Sequence, residues 1–166
     1  MTDITPALFA AARQGNVPVL KEIISSYGNV LIDSKDDRGY TPLIIASYNN
    51  QPGAVEFLLQ SGADPNVADN GGNTALMGAA FKGYSTIGEI LLEYGANINA
   101  QHCNGGTALM FAVLFGRNDM VNLLLEKGAD HTITDSRGHT ALDLARQQRN
   151  QVAADKLITL EEPTEY

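Results

Sequence analysis

Residues 69–101 read DNGGNTALMGAAFKGYSTIGEILLEYGANINAQ, and the architecture of the whole chain follows from how that stretch must fold. Asp69 to Gly72 reads as a tight turn, because an Asp side chain bonds forward to backbone N–H groups and Gly accepts positive φ. Thr74 opens a short helix as its cap. That helix carries Ala79 and Ala80, small enough for a neighbour to approach closely, and it ends near Gly83. A second helix runs through Ile87, Ile90, Leu91 and Leu92, an apolar stripe at i, i+3 and i+4 spacing. Gly95 stops it with a left-handed cap. So short a unit cannot bury such a stripe alone; it needs a sibling stacked on it.

The siblings are present. GYTPLIIA, GNTALMGA, GGTALMFA and GHTALDLA place Thr41, Thr74, Thr107 and Thr140 at a constant step of 33 residues, and Gly39, Gly72, Gly105 and Gly138 keep the same step. A third column, Gly62, Gly95 and Gly128, runs through SGAD, YGAN and KGAD. This pattern resembles the ankyrin-repeat family, in which a turn Asp and Gly precede Thr-Pro-Leu and two helices end in Gly-Ala-Asp. The match is carried by Asp36, Gly39, Thr41, Pro42, Leu43 and Gly62-Ala63-Asp64, with Ala75, Ala108 and Ala141 replacing the Pro in later units. The resemblance covers nearly the whole chain. It implies an all-α fold, an ankyrin-repeat solenoid of stacked helix–turn–helix units with β-turn finger loops. The expected organisation is one domain, 1–166, with repeats at 1–35, 36–68, 69–101, 102–134 and 135–166.

Both ends depart from the pattern as end caps should. The first unit lacks the turn Asp-Gly, opens its helix at Thr5 with Pro6 following, and is expected to hold two extra residues near Tyr27–Lys35. The last unit carries RQQRNQ at 146–151, polar where inner units are apolar, so that its outer face can meet water. Its close, EEPTEY, is expected to fray.

Composition bounds the partners. The 166 residues suit a single domain, and a net charge of −8 disfavours nucleic acid or an anionic membrane, both of which need a positive footprint. One cysteine, Cys103, rules out an intrachain disulfide framework and fits a reducing compartment. The N-terminus has no basic region before an apolar run, and no stretch approaches the length of a membrane span. The expectation is a cytoplasmic monomer.

Scaffold positions recur down the chain; positions that vary are free for recognition. The loop tips vary at Asp37, Arg38 and Tyr40, at Asn70 and Asn73, at Asn104, and at Arg137 and His139. The late positions of the short helices vary at Tyr48 and Asn49, Phe81 and Lys82, and Leu114 and Phe115. Tyr48, Phe81 and Leu114 are themselves 33 apart, which would set them in one apolar stripe on the concave face, widened by Phe115 and Tyr40 and rimmed by Asn, Lys and Arg. That composition suits a protein-binding hot spot. The alternative for these apolar residues is burial against the next unit. Arg13, Arg38, Lys82 and Arg137 map to the same side, whereas Glu56, Glu89, Glu93 and Glu126 map to the second helices behind it.

Chemistry has weak footing. His102 stands where other inner units have the turn Asp, and with Cys103 and His139 it offers three ligands, without paired spacing or an orienting carboxylate. No nucleophile elbow, phosphate loop or dinucleotide fingerprint occurs. The expectation is therefore a non-catalytic protein–protein interaction module without cofactor or metal. It would bind a partner protein through its concave face and loop tips, an inhibitor or regulator being one form this would take. A structural adaptor or self-associating unit is the alternative, and a thiol or metal site near Cys103 a lesser one.

Overall fold

The computed structural model describes residues 3–161, and among these residues it contains ten α-helices, one 3-10 turn and no strand. The helices run in pairs: α1 (Thr5–Gln14) and α2 (Val17–Tyr27), α3 (Pro42–Tyr48) and α4 (Pro52–Gln60), α5 (Ala75–Lys82) and α6 (Ser85–Glu93), α7 (Ala108–Leu114) and α8 (Asn118–Glu126), α9 (Ala141–Gln147) and α10 (Gln151–Glu161). Odd-numbered helices pack side by side as an inner row and even-numbered helices as an outer row.

Each inner helix from α3 onward starts the same way. The hydroxyls of Thr41, Thr74, Thr107 and Thr140 accept from the backbone N–H of Ile44, Met77, Met110 and Asp143 at 3.2–3.4 Å, satisfying a donor that the helix itself leaves orphaned. The inner row stays close because Ala46, Ala79, Ala80, Ala112 and Ala145 are wholly buried where the helices meet. Ile87 and Leu91 of α6 are likewise fully buried, so the stripe read from the sequence faces the core.

Stacking is also fixed by backbone hydrogen bonds between loops. Asn70 N–H donates to the Arg38 carbonyl, Cys103 N–H to that of Gly71 and Ser136 N–H to that of Asn104, at 3.1, 3.1 and 2.9 Å. Gly39 shows how tight this contact is. Its φ is 81°, and a Cβ there would lie 2.6 Å from the Asn70 backbone nitrogen. On the far side of the units, side-chain oxygens of Asp33, Asn66 and Asn99 accept from the N–H groups of Asp64, Asn97 and Asp130.

The two extra residues of the first unit are absorbed where α2 runs to 11 residues instead of the 9 of α4, and a 3-10 turn, Asn29–Leu31, follows. At the other end Arg146, Gln147, Gln148 and Arg149 are exposed, as are Val152 and Leu160 of α10, which the polar reading of that unit had not anticipated. Of the segment expected to fray, residues 162–166 lie outside the described residues.

Candidate protein-binding groove

The site is built on the C-terminal ends of the inner helices. Tyr48 ends α3 and Phe81 stands at the equivalent position of α5, and their rings stack with centroids 6.1 Å apart and planes at 15°. Phe81 then meets Phe115 edge-on at 4.4 Å. The third rung of the ladder is therefore Phe115, not Leu114 as a strict 33-residue step would have it. Phe115 has left the helix, at φ −100° and ψ 11°, and Leu114 is half-buried. Tyr48 and Phe115 remain 44% and 47% exposed, too open to be core. The ammonium of Lys82 lies over the Tyr48 ring, 4.6 Å from its centroid, a cation–π contact.

Beside the ladder is a depression of about 520 Å³. Its apolar lining comes from Tyr40, Ile44, Ile45, Tyr48, Met77, Phe81 and Phe111, and its polar lining from Arg13, Arg38, Asn49, Asp69, Asn73 and Thr74. Gly78 completes it. This residue occupies the position held by Ile45 in α3, Phe111 in α7 and Leu144 in α9, so the missing side chain leaves room in the middle of the row. A Cβ at Gly78 would have Tyr48 as its nearest neighbour at 3.6 Å, an ordinary contact. Local packing does not demand glycine there, although an interior helical Gly costs about 1 kcal/mol relative to Ala. A second depression, of about 490 Å³, is lined by His102, Asn104, Leu114, Arg137 and His139 among others, and Phe111 borders both.

The charges differ in how far they are engaged. The Asp69 carboxylate accepts from the N–H groups of Gly71 and Asn73 and from the Asn73 amide. Asp135 does the same for Arg137 and His139, and these backbone donors, His139 first, hold its carboxyl below the usual range. By contrast, the side chains of Arg13 and Arg38 are exposed and have no carboxylate partner among the described residues, where the one ion pair found is His139 with Asp135 at 3.4 Å.

The structure distributes the sequence-derived residues unevenly. Arg38, Tyr40, Tyr48, Asn49, Asn73 and Phe81 line the larger depression; Asn104, Leu114, Arg137 and His139 line the smaller. Lys82 and Phe115 belong to the ladder. Asp37 and Asn70 sit exposed at their tips, joined by a bond from the Asn70 amide to the Asp37 carbonyl at 3.0 Å. The amide of Asn49 is likewise occupied by the Ile45 carbonyl at 2.8 Å. These asparagines therefore serve the scaffold as well as the surface. Phe111, Gly78, Ile45 and Met77 were missed. The signal for the first three was helical periodicity, since each precedes Leu114, Phe81 or Tyr48 by one turn and shares its face.

His102 fills the turn role of its missing Asp: its Nδ1 accepts from the Asn104 N–H at 2.8 Å, and its ring lies edge-on to Phe111 at 5.1 Å. Cys103 is a free, exposed thiol. Among the described residues no three His, Cys, Asp or Glu side chains are grouped to hold a metal ion, and no helix is long and apolar enough to cross a membrane.

Comparison with known proteins places these features in a family. The family model for ankyrin repeats (3 copies) matches residues 2–69, 53–135 and 76–163. Ankyrin repeat domain-containing protein 29 of Danio rerio is 41% identical over 66 residues, covering 40% of this chain and 22% of that protein. DNA-binding protein RFXANK of Homo sapiens is 45% identical over 56 residues, covering 34% and 21% respectively. Mitochondrial disaggregase of Bos taurus is 36% identical over 64 residues, covering 39% of this chain and 9% of that protein. The chain thus spans about a fifth or less of the length of these relatives. Ankyrin repeats generally mediate protein–protein interaction. With the repeat model matched along almost its full length, and the same Thr-capped helical hairpin recurring in its structure, the chain belongs to the ankyrin-repeat family.

Proposed function

We propose that this chain is a non-catalytic recognition module that holds a partner protein in the groove between its inner helices and loop tips. The observation that carries this reading is the ladder of Tyr48, Phe81 and Phe115, in which the Phe81 ring contacts each of the other two on a surface where those two stay open to solvent. Aromatic side chains of this kind dominate the energetics of protein interfaces. The adjoining depression, apolar within and polar at its edge, has the anatomy of an interface core with its rim. A net charge of −8 argues against nucleic acid as the partner.

The test is a pull-down from native lysate with wild type beside a Tyr48→Ala/Phe81→Ala variant. A prey protein retained by wild type and lost with the variant supports the reading; preys captured equally by both overturn it. Sedimentation of the purified chain tests self-association: a monomer at micromolar concentration leaves the groove open for a different protein, whereas a dimer that dissociates on Phe81→Ala means that a second copy covers it.

A further inference from the structure

We infer that the segment held in this groove is acidic as well as apolar: an apolar side chain seats in the space above Gly78, and a carboxylate a few residues away binds Arg13 and Arg38. This rests on the groove being the partner site, and it adds the chemistry of what fits there.

Charge distribution carries the argument. The chain has net charge −8, and the outer helices carry exposed Glu22, Glu56, Glu89, Glu93 and Glu126. The larger depression inverts that balance. Its charged residues are Arg13, Arg38 and Asp69, and the Asp69 carboxylate is already engaged by its own turn. The two guanidiniums have no acid partner among the described residues. In an acidic protein with carboxylates to spare, two unpaired arginines beside an apolar hollow are complementary to a carboxylate arriving from outside. The planar guanidinium fork suits such a ligand through paired N–H···O bonds.

The row itself sets the spacing. Gly15, Asn50, Gly83 and Gly116 share a left-handed conformation just after their helices, and the residues two before them are Arg13, Tyr48, Phe81 and Leu114. The aromatic ladder therefore ends on an arginine. Inner helices lie about 8–10 Å apart, so α1, which carries Arg13, is two spacings or about 20 Å from α5 and its Gly78, and the unit that carries Arg38 in the turn before α3 is one spacing or about 10 Å away. An extended chain advances about 3.3 Å per residue, which separates anchor and carboxylate by about three to six residues.

The experiment is selection of phage-displayed random dodecapeptides on the purified full chain, in wild type, Arg13→Gln/Arg38→Gln and Tyr48→Ala/Phe81→Ala forms, each checked for unchanged circular dichroism. Both arginine side chains are exposed and, among the described residues, make no hydrogen bond or ion pair, so the first variant is expected to keep its fold. Wild type is expected to enrich Asp or Glu about three to six residues from Leu, Ile or Phe. The arginine variant is expected to retain the apolar preference while losing the acidic one, and to bind a wild-type-selected peptide at least tenfold more weakly in fluorescence anisotropy. Peptides without acidic enrichment, or an acidic peptide bound equally by the arginine variant, overturn this inference and leave the groove reading standing. Selection unaffected by the aromatic variant, or no selection on wild type at all, overturns both.

Discussion

The ring of Phe115 stands edge-on to that of Phe81, with centroids 4.4 Å apart and planes at 65°, although the residue one repeat on from Phe81 is Leu114. Departure from the helix at Phe115 turns its side chain back along the row, while Leu114 stays half-buried beside the second depression. Contact between these two rings joins the loop end of α7 to that of α5.

That contact has a measurable energy. Edge-to-face aromatic pairs contribute about 0.5–1.5 kcal/mol beyond area burial. A double-mutant cycle on Phe81→Ala and Phe115→Ala, followed by urea unfolding, is expected to return a coupling of that size. Independent effects would mean that the rings do not meet in solution. Phe81→Ala alone is expected to cost more stability than Tyr48→Ala, because Phe81 touches two rings and is half-buried whereas Tyr48 is open.

Asp33 is the weak member of its row. Burial pushes its carboxyl above the usual range, and the nearby Asp64 charge adds to this against the opposing bond from the Asp64 N–H. A raised carboxyl pKa gives stability that is fully present below the ordinary carboxylate range and lost as pH rises through the folded value. At neutral pH the charge therefore works against folding. Asn66 performs the same task with an amide, and also donates to the Gly95 carbonyl at 3.1 Å. Asp33→Asn is expected to raise stability at pH 7 by about 0.5–1.5 kcal/mol, through the added donor to the Gly62 carbonyl and the lost charge. The gain should shrink as pH is lowered below 4, read by urea unfolding across that range.

Gly39 and Gly138 separate conformational strain from crowding. Both have φ near 80°, but a Cβ at Gly39 would collide with the Asn70 backbone, whereas at Gly138 nothing lies within 4 Å. Gly138→Ala is expected to cost about 1–2 kcal/mol, the strain of an L-residue in that conformation. Gly39→Ala should cost clearly more, and it should also weaken the bond from Asn70 N–H to the Arg38 carbonyl, visible as faster amide exchange at Asn70.

Ser47 is wholly buried in α3, and its hydroxyl has no hydrogen-bond partner among the described residues. Alanine stands at the matching positions 12 and 80. Ser47→Ala is expected to stabilise the chain by about 1 kcal/mol, since it removes an unsatisfied buried polar group. A destabilised variant in thermal unfolding would mean that the hydroxyl is satisfied after all.

The sequence made the architecture readable because its determinants are local. Thr74 caps the helix that follows it, and Asp69 closes the turn that contains it. Each needs only residues two to four away, so one unit could be interpreted and then found again at a fixed step. The groove was less legible, because its lining depends on where helical side chains point across neighbouring units. Following the period of 33 alone selected Leu114 and passed over Phe111, which lies one turn earlier and borders both depressions. Gly78 was passed over because a residue without a side chain offers no contact to read, yet that lack opens the hollow. Asn49, Asn70 and Asn73 looked free because they vary, and only the structure displays the bonds that each amide makes.

The threonine caps and loop-to-loop hydrogen bonds make no use of the side chains at positions 45, 78, 111 and 144. Substitutions there, above all at Gly78 and Phe111, which unlike Ile45 and Leu144 are not buried in the core, can therefore resculpt the lining while the frame keeps its register. Ile, Gly, Phe and Leu already stand there in one molecule, which makes that row the natural place to redesign selectivity, much as a key is recut without changing the lock's housing.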